Sequence, residues 1–559
     1  MSDIDIVTVF LLTLGILIAG MAFSRRGKDM TSFFAAGGAV PWQMSGLSLF
    51  MSFFSAGTFV VWGSVAYLYG WVSISIQWTM ALSGLIVGTF IAPRWHRTGA
   101  LTVAEYIDRR LGVSIQKTYT FLFLFISLFL TASFLYPVAK IVEVSTGLEL
   151  NASIILLGAF CILYVSAGGL WAVVSTDILQ FVILLAAILI VVPLSVEKVD
   201  SLSQFAAMVP ETYFNLANDE YTYAFILAFG VYNMIFLGGN WAYVQRFTCV
   251  GSAADSKKVG WFFALLYFVS PILWMLPPMV YYTLNNTLDA MGAEGAYLLM
   301  CKEVLPKGIL GLMVGGMIFA TTSAMNSKLN IASGVVTNDI YRKLRPQSSD
   351  KHLITVARLA TVSFGVISVL IALLIQYMGG VVNVVISLAA LTGVPLYLPV
   401  MWTLFSKRQT GFSVLTTTIV SLLINGFLKF VTPLLWGFSL DRTEEMVFGC
   451  LLPIVMMAGF ELYYICTNQR SEKMAEYLIW QSSNALRRHE IAEAARKEGG
   501  KENLYSMKVI GWGILFVGLA IVILGLLADV HQALVASVGA LFALLGIYLV
   551  RRAIAGLNE

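Results

Sequence analysis

Apolar residues run along this chain in long blocks separated by short polar stretches, a pattern that predicts helices crossing a membrane. A helix needs about 20 apolar residues to span the hydrocarbon, and about fifteen blocks approach that length. They are Ile6 to Phe23, Trp42 to Tyr69, Trp71 to Ala92, Tyr119 to Ala139, Ser153 to Ala167, Trp171 to Leu194, Ala224 to Val244 and Val259 to Tyr282. After these come Ile309 to Ala332, Ala360 to Met378, Val381 to Phe405, Phe412 to Phe427, Met446 to Ile465, Val509 to Leu527 and Ala533 to Val550. The expected fold class is therefore an all-α integral membrane protein with about 15 transmembrane helices. The first block follows Asp3 and Asp5 and precedes Arg25, Arg26 and Lys28, the reverse of the charge order in a signal peptide.

Composition narrows the reading. Of 559 residues 58% are hydrophobic and 12% charged, about half the charged fraction of a soluble domain, which rules out a soluble multidomain enzyme. A net charge of +4 from 35 Lys/Arg against 31 Asp/Glu is too small and too mixed for a nucleic-acid partner; the lipid bilayer is the partner expected. The five cysteines (Cys161, Cys249, Cys301, Cys450, Cys466) form no CxxC pair, so zinc ribbons and a disulfide framework are not expected. The four histidines (His96, His352, His489, His531) flank apolar blocks rather than lie within them, and so cannot hold an intramembrane haem. Neither Gly27-Lys28 nor Gly500-Lys501 has the surroundings of a phosphate-binding loop.

Basic residues are retained on the cytoplasmic side. With the N-terminus outside, the external loops hold only Lys140, Lys198, Lys302, Lys307, Lys429 and Arg442 of the 35 Lys/Arg. The inside loops then receive Arg94, Arg97, Arg109, Arg110, Lys257, Lys258, Arg342, Lys343, Arg345, Lys407, Arg408, Arg551 and Arg552. A multi-pass protein of the plasma (inner) membrane with its C-terminus in the cytoplasm is expected. The long polar stretch from Thr467 to Met507 mixes Glu, Lys and Arg with an apolar Tyr477-Leu478-Ile479-Trp480 patch and predicts an amphipathic helix on the inner membrane surface. It reads as a tether between spans more readily than as a docking site for a regulator.

Two spans carry polar and small residues where a helix would be interrupted, at Ser52-Phe53-Phe54-Ser55-Ala56-Gly57-Thr58 and from Gly230 to Asn240. They stand five spans apart, as the first helices of two inverted repeats do in secondary transporters, whose site lies at such breaks. Small residues alone would equally serve close helix packing; the paired placement favours a site. Charged groups deep in a span cost about 2.5 to 3.5 kcal/mol, and few occur. Asp177 lies two turns into the sixth span, while the ninth carries Thr321, Thr322, Ser323, Asn326, Ser327, Lys328 and Asn330. On a helix Ser323, Ser327 and Asn330 share one stripe, whose oxygens could replace water around a small hard cation, with Asp177 supplying negative charge. Single buried Ser and Thr commonly bond their own helix carbonyls instead, which accounts poorly for seven clustered positions.

These residues fall into longer motifs. The run Gly168 to Gln180, Asn240 with Val244-Gln245-Arg246, and Ala320 to Asn330 followed by Thr337-Asn338-Asp339-Ile340-Tyr341 resemble, in order and topology, segments of the sodium/solute symporter family. That group contains the sodium/glucose, proline, pantothenate and iodide carriers. The resemblance implies a LeuT-like five-plus-five inverted repeat with one helix in front and four behind, working by alternating access. It implies a leading helix and loop at 1–40, a first repeat at 41–195, an extracellular loop at 196–222 and a second repeat at 223–405. Two further helices at 406–466, the linker at 467–506 and a helical hairpin at 507–559 complete the chain. A bound sodium ion is implied at the Met51 and Phe54 carbonyls, the Ala320 carbonyl and the Ser323 hydroxyl, with Asp177 and Ser327 supporting that site or a second one.

The sequence departs from the family at two places. Ala324 stands where a second hydroxyl ligand is expected, and Lys328 lies one turn further on the same face. Lys328 pairs with Asp177, or takes the cation's place, or snorkels to cytoplasmic water. In the solute pocket, Asn233 matches a sugar contact, Phe236 stands for a gating Tyr, Tyr267 for a Lys and Thr58 for a Gln. No Asp or Glu occurs between Thr31 and Ala104, leaving Gln77 and Trp78 as polar candidates. Such a pocket suits a small neutral or weakly polar solute. The function expected is sodium-coupled symport of a small organic solute, a sugar or similar molecule. Its alternative is a sodium-independent or proton-coupled transporter using Lys328. A solute sensor is a lesser reading, since no signalling domain follows Val550. An enzyme is not expected, because no intramembrane acid-base or metal set is present.

Overall fold

The computed structural model describes residues 1–24, 40–100, 102–165, 170–378 and 380–558. Among them no strand forms; one isolated bridge joins Val40 to Val250. Helix is the solution in which every backbone N–H and C=O finds a partner within its own segment, as a lipid environment demands. Large apolar side chains such as Leu163, Leu227 and Leu434 accordingly point outward.

The principal helices in chain order are α1 (Asp3–Ser24), α2 (Trp42–Met51), α3 (Gly63–Tyr69), α4 (Trp71–Ile86), α5 (Val103–Leu111), α6 (Val113–Thr146), α7 (Leu150–Val165) and α8 (Leu170–Glu197). They continue as α9 (Tyr223–Gly239), α10 (Trp241–Thr248), α11 (Ala253–Leu284), α12 (Ile309–Val335), α13 (Asp350–Leu374), α14 (Val381–Leu388) and α15 (Val394–Trp402). The last four are α16 (Gly411–Gly426), α17 (Arg442–Cys466), α18 (Lys473–Leu527) and α19 (Gln532–Asn558). Hydropathy predicts about fifteen spans; by length and apolarity the described residues establish 10, or 11 when the bent pair Tyr223–Gly239 and Trp241–Thr248 is counted as one. The difference arises because interrupted helices and runs such as Thr58–Tyr69 and Leu150–Leu163 fall short of a full span's length.

Packing sorts the helices into two groups. In one, α4 lies against α11 and α9, and α2 lies against α11. In the other, α12 lies against α6 and α13, and α13 also covers α6 and α7. Helix α8 bridges the groups, touching α12, α11 and α2. A cavity forms where these groups meet. Three wide π-turns, Val87–Ile91, Ala389–Gly393 and Phe427–Val431, each end two residues before a proline: Pro93, Pro395 and Pro433. A proline lacks the N–H for the preceding turn and its ring crowds that turn's carbonyl, and widening the turn relieves both.

Asp5 anchors the leading helix. Its Oδ1 accepts the Gly308 N–H at 2.7 Å and the Gly311 N–H at 2.9 Å, at the start of α12, while Oδ2 accepts from Ser2. A carboxylate on the exposed N–H groups of a helix start both satisfies them and meets the positive end of the dipole. Replacing Asp5 with Ala should cost about 1 to 2 kcal/mol, read as a lower unfolding temperature in detergent with solute affinity unchanged. An unchanged melting temperature would mean that α1 is held by apolar packing alone.

The polar linker does not lie as a separate surface helix. It is the first half of α18, one continuous helix of 55 residues leading directly into the hairpin with α19. Its start docks on protein: Tyr477 packs on Tyr106 at 5.7 Å, Arg109 lies over Trp480 at 5.5 Å, and the Arg110 guanidinium donates to Ser471 at 3.0 Å. The apolar patch read as membrane-facing is thus partly spent on α5.

Candidate functional site

The first break falls where the small polar residues stand. Helix α2 ends at Met51, the chain turns through Ser52 to Ser55, and a π-turn at Thr58–Trp62 leads into α3. Thr58 closes the turn: its hydroxyl donates to the Phe53 carbonyl at 2.7 Å and accepts the Ser55 N–H at 3.3 Å. The Ala56 N–H donates across to the Thr321 hydroxyl at 3.0 Å, pinning the break to α12. Hydrogen bonds of this turn use the carbonyls of Ser48, Leu49, Phe50, Phe53 and Ser55, and leave those of Met51 and Phe54 aside.

The second break lies at the end of the predicted segment, not along it. Gly230 to Gly239 is helical; Asn240 is extended (φ −66°, ψ 130°) and α10 leaves at 57°. Asn240 is the reason for the position: its side-chain oxygen caps α10 by accepting the Ala242 N–H at 3.0 Å, and its amide donates to the Tyr397 hydroxyl at 3.0 Å. A side chain that satisfies the new helix start makes the interruption cheap at that residue.

Between the breaks lies a cavity of about 140 Å³. Thr58, Gln77, Asn233, Phe236 and Tyr267 line it, together with Phe53, Phe134, Tyr232 and Tyr243. No Asp, Glu, Lys, Arg or His is among the described lining residues. The Asn233 amide nitrogen donates to the Thr79 hydroxyl at 2.9 Å, which leaves its carbonyl oxygen to face the cavity. Gln77 is engaged, accepting the Trp274 indole N–H at 3.1 Å and donating to the Ser73 carbonyl at 3.4 Å. Trp78 is not brought into the cavity wall: it stacks on Phe268 with centroids 5.7 Å apart and donates its N–H to that residue's carbonyl at 3.0 Å. Turning Gln77 inward turns its neighbour Trp78 to another face of α4, since adjacent helix positions do not share a face.

Toward α8 and α12, Asp177 is fully buried and accepts the Ser48 hydroxyl of α2. Ala320, Thr321 and Ala324 are buried on α12. The side chains of Ser323, Asn326 and Ser327 lie outside the described residues. Lys328 is 7% exposed, so it does not snorkel to water, and among the described residues it forms no ion pair with Asp177. Its ammonium instead sits over the Phe134 ring at 4.4 Å and the Tyr243 ring at 5.8 Å. The sequence reading missed Phe53, Phe134 and Tyr243. Phe53 packs on Tyr243 at 4.4 Å and Phe236 on Tyr243 at 5.4 Å, a contact no helical periodicity could supply across the bend at Asn240.

The family model "SSF: Sodium:solute symporter family" matches residues 33–420. A sodium/glucose cotransporter of Vibrio parahaemolyticus is 26% identical over 495 residues, covering 82% of this chain and 90% of the relative. The sodium/sialic acid symporter NanT of Aliivibrio fischeri is 25% identical over 437 residues, covering 75% and 86%. Among solved structures, that of a Na+-coupled sialic acid symporter, in a substrate-bound outward-open state, matches with a TM-score of 0.70 at 24% identity, covering 82% of this chain and 98% of that one.

Proposed function

This chain belongs to the sodium:solute symporter family, and from that premise we propose that it carries a small organic solute inward with sodium through the cavity between its two helix breaks. The observation that carries this reading is the geometry of the first break. It leaves the carbonyls of Met51 and Phe54 outside its own turn bonds and is tied to α12 through Thr321, beside a cavity that fits a solute. Sodium is the coupling ion and travels as co-substrate. Met51, Phe54, Ala320 and Ser323 hold it, with Asp177 and Ser327 supplying charge and support from behind.

Solute contacts fall to Asn233 through its open carbonyl oxygen, and to Phe236, Tyr267, Thr58 and Gln77 through ring faces and the polar edge of the break. An aromatic wall with few polar groups orients a solute that has both apolar and hydrogen-bonding faces. Transport proceeds by rocking the group of α2, α4, α9 and α11 against the group of α6, α7, α12 and α13, which exposes the site to each side in turn. Residues 41–195 and 223–405 act as the inverted repeats. The protein sits in the plasma (inner) membrane with its N-terminus outside and does no covalent chemistry.

Purified protein in proteoliposomes, given labelled sugars, amino acids and monocarboxylates, tests this reading. Uptake of at least one solute should be more than about tenfold faster with an inward sodium gradient than with choline in its place. Equal rates with choline for every solute transported would overturn it.

A further inference from the structure

We infer that Tyr243, in the wall of the solute cavity, and Lys328, packed against that wall, form a head-group subsite, and that the cargo is a small organic acid whose carboxylate is held by both. The inference rests on the transport reading above and names the chemical class of its solute.

Lys328 is not itself among the described lining residues, but its ammonium lies against two of them. The ammonium ends 4.4 Å from the centroid of Phe134 and 5.8 Å from that of Tyr243, and both rings line the cavity. Aromatic faces attract a desolvated cation, but they accept none of its N–H bonds in the ordinary sense. Among the described residues no carboxylate, hydroxyl or carbonyl takes a hydrogen bond from Lys328. Asp177, one of the alternatives the sequence offers for its charge, accepts from Ser48.

Tyr243 supplies the second observation. Its residue is 2% exposed, and its hydroxyl is buried without a hydrogen-bond partner. The ring is clamped by Phe53 at 4.4 Å and Phe236 at 5.4 Å, so it cannot swing out to water. Buried hydroxyls are almost always paired, and an unpaired one costs free energy. Two donors from different helices, α12 and α10, therefore stand together beside the cavity, Tyr243 in its wall and Lys328 against the Phe134 and Tyr243 rings of that wall, with no acceptor supplied by the described residues. An anionic group with two oxygens satisfies both, since an ammonium and a phenol hydroxyl each donate to it in a charge-assisted bond. The described residues that line the cavity are all uncharged, which fits a body recognised by stacking and hydrogen bonds with its single charge at the end nearest Lys328.

The test pairs acids with their amides: lactate and lactamide, nicotinate and nicotinamide, glucuronate and glucuronamide. Each is measured by thermal shift on the full-length protein in sodium, in both chloride and methanesulfonate buffers. At least one acid should bind at least about tenfold more tightly than its amide. Lys328→Gln should erase that preference while leaving the amide's affinity as in the wild type, Lys328→Arg should retain it, and Tyr243→Phe should weaken the acid severalfold and spare the amide. Sodium-dependent binding confined to uncharged solutes overturns the subsite and leaves the symporter reading standing, as does a preference unaltered in Lys328→Gln. Competition by chloride that replaces the carboxylate's effect would place an inorganic anion there and overturn it too. Absence of any sodium-dependent shift with any solute overturns both readings. Should Lys328→Gln fail to fold, the Lys328→Arg and Tyr243→Phe comparisons decide alone.

Discussion

An Asn233→Leu protein is expected to fold normally and to bind its solute about 5- to 150-fold more weakly, the loss of about 1 to 3 kcal/mol that follows when a buried polar group of the solute loses its partner. Leucine matches asparagine in size, so the wall keeps its shape. Thr79, which now accepts the Asn233 amide, stays satisfied because its own hydroxyl donates to the Ile76 carbonyl at 2.6 Å. The damage is therefore confined to the open carbonyl oxygen that faces the cavity. Sodium-gradient uptake should show a raised KM, and the solute-induced thermal shift should need correspondingly more solute. A variant with wild-type affinity would remove Asn233 from the site.

The second large effect concerns the fold that holds the two breaks in place. Where α4 and its following π-turn cross α11, Gly84, Gly88 and Gly260 let the backbones touch. A Cβ on Gly260 would lie 2.4 Å from the Gly88 Cα and 3.0 Å from the Gly84 carbonyl oxygen. These are backbone atoms, so no rotamer relieves the clash, and small residues at such crossings are what permit close helix approach in membranes. Gly260→Val should destabilise by about 3 kcal/mol, the upper end for overpacking, with a large fall in melting temperature and loss of the monodisperse protein. Gly459→Ala is the control, since nothing lies within 4 Å of its Cβ position. Equal melting temperatures for the two variants would show that the crossing tolerates separation.

Much of this architecture is legible in the chain because lipid imposes a simple rule: apolar blocks become helices, and polar residues inside them mark work to be done. The cluster Ser52 to Thr58 announces the first break, and its residues do close that turn. The second break is harder to place from sequence. Its glycines suggest an opening around Asn233, whereas the interruption waits for Asn240, whose amide both caps the next helix and reaches Tyr397. Capping by one side chain decided the matter, not flexibility. Tyr243 stayed hidden because its place in the wall depends on the 57° bend, which converts a residue one helix away into a neighbour of Phe53. Lys328 was legible as an anomaly but not in its surroundings, because a partner of aromatic faces leaves no charge pattern in the sequence. The linker's contacts with α5 were hidden for a similar reason. Its apolar patch looks like any surface-seeking face, yet Tyr477 meets Tyr106 while Leu478 and Ile479 stay exposed.

The central claim is that ion and solute occupy adjoining positions at the same helix break, so each must strengthen the other. The direct measurement is equilibrium binding of the transported solute to purified protein across a sodium titration, repeated as sodium binding across a solute titration. The account predicts that saturating sodium tightens the solute by about 5- to 150-fold and that the solute tightens sodium by the same factor, with Ser323→Ala reducing both together. A solute affinity that stays constant from zero to saturating sodium would contradict it.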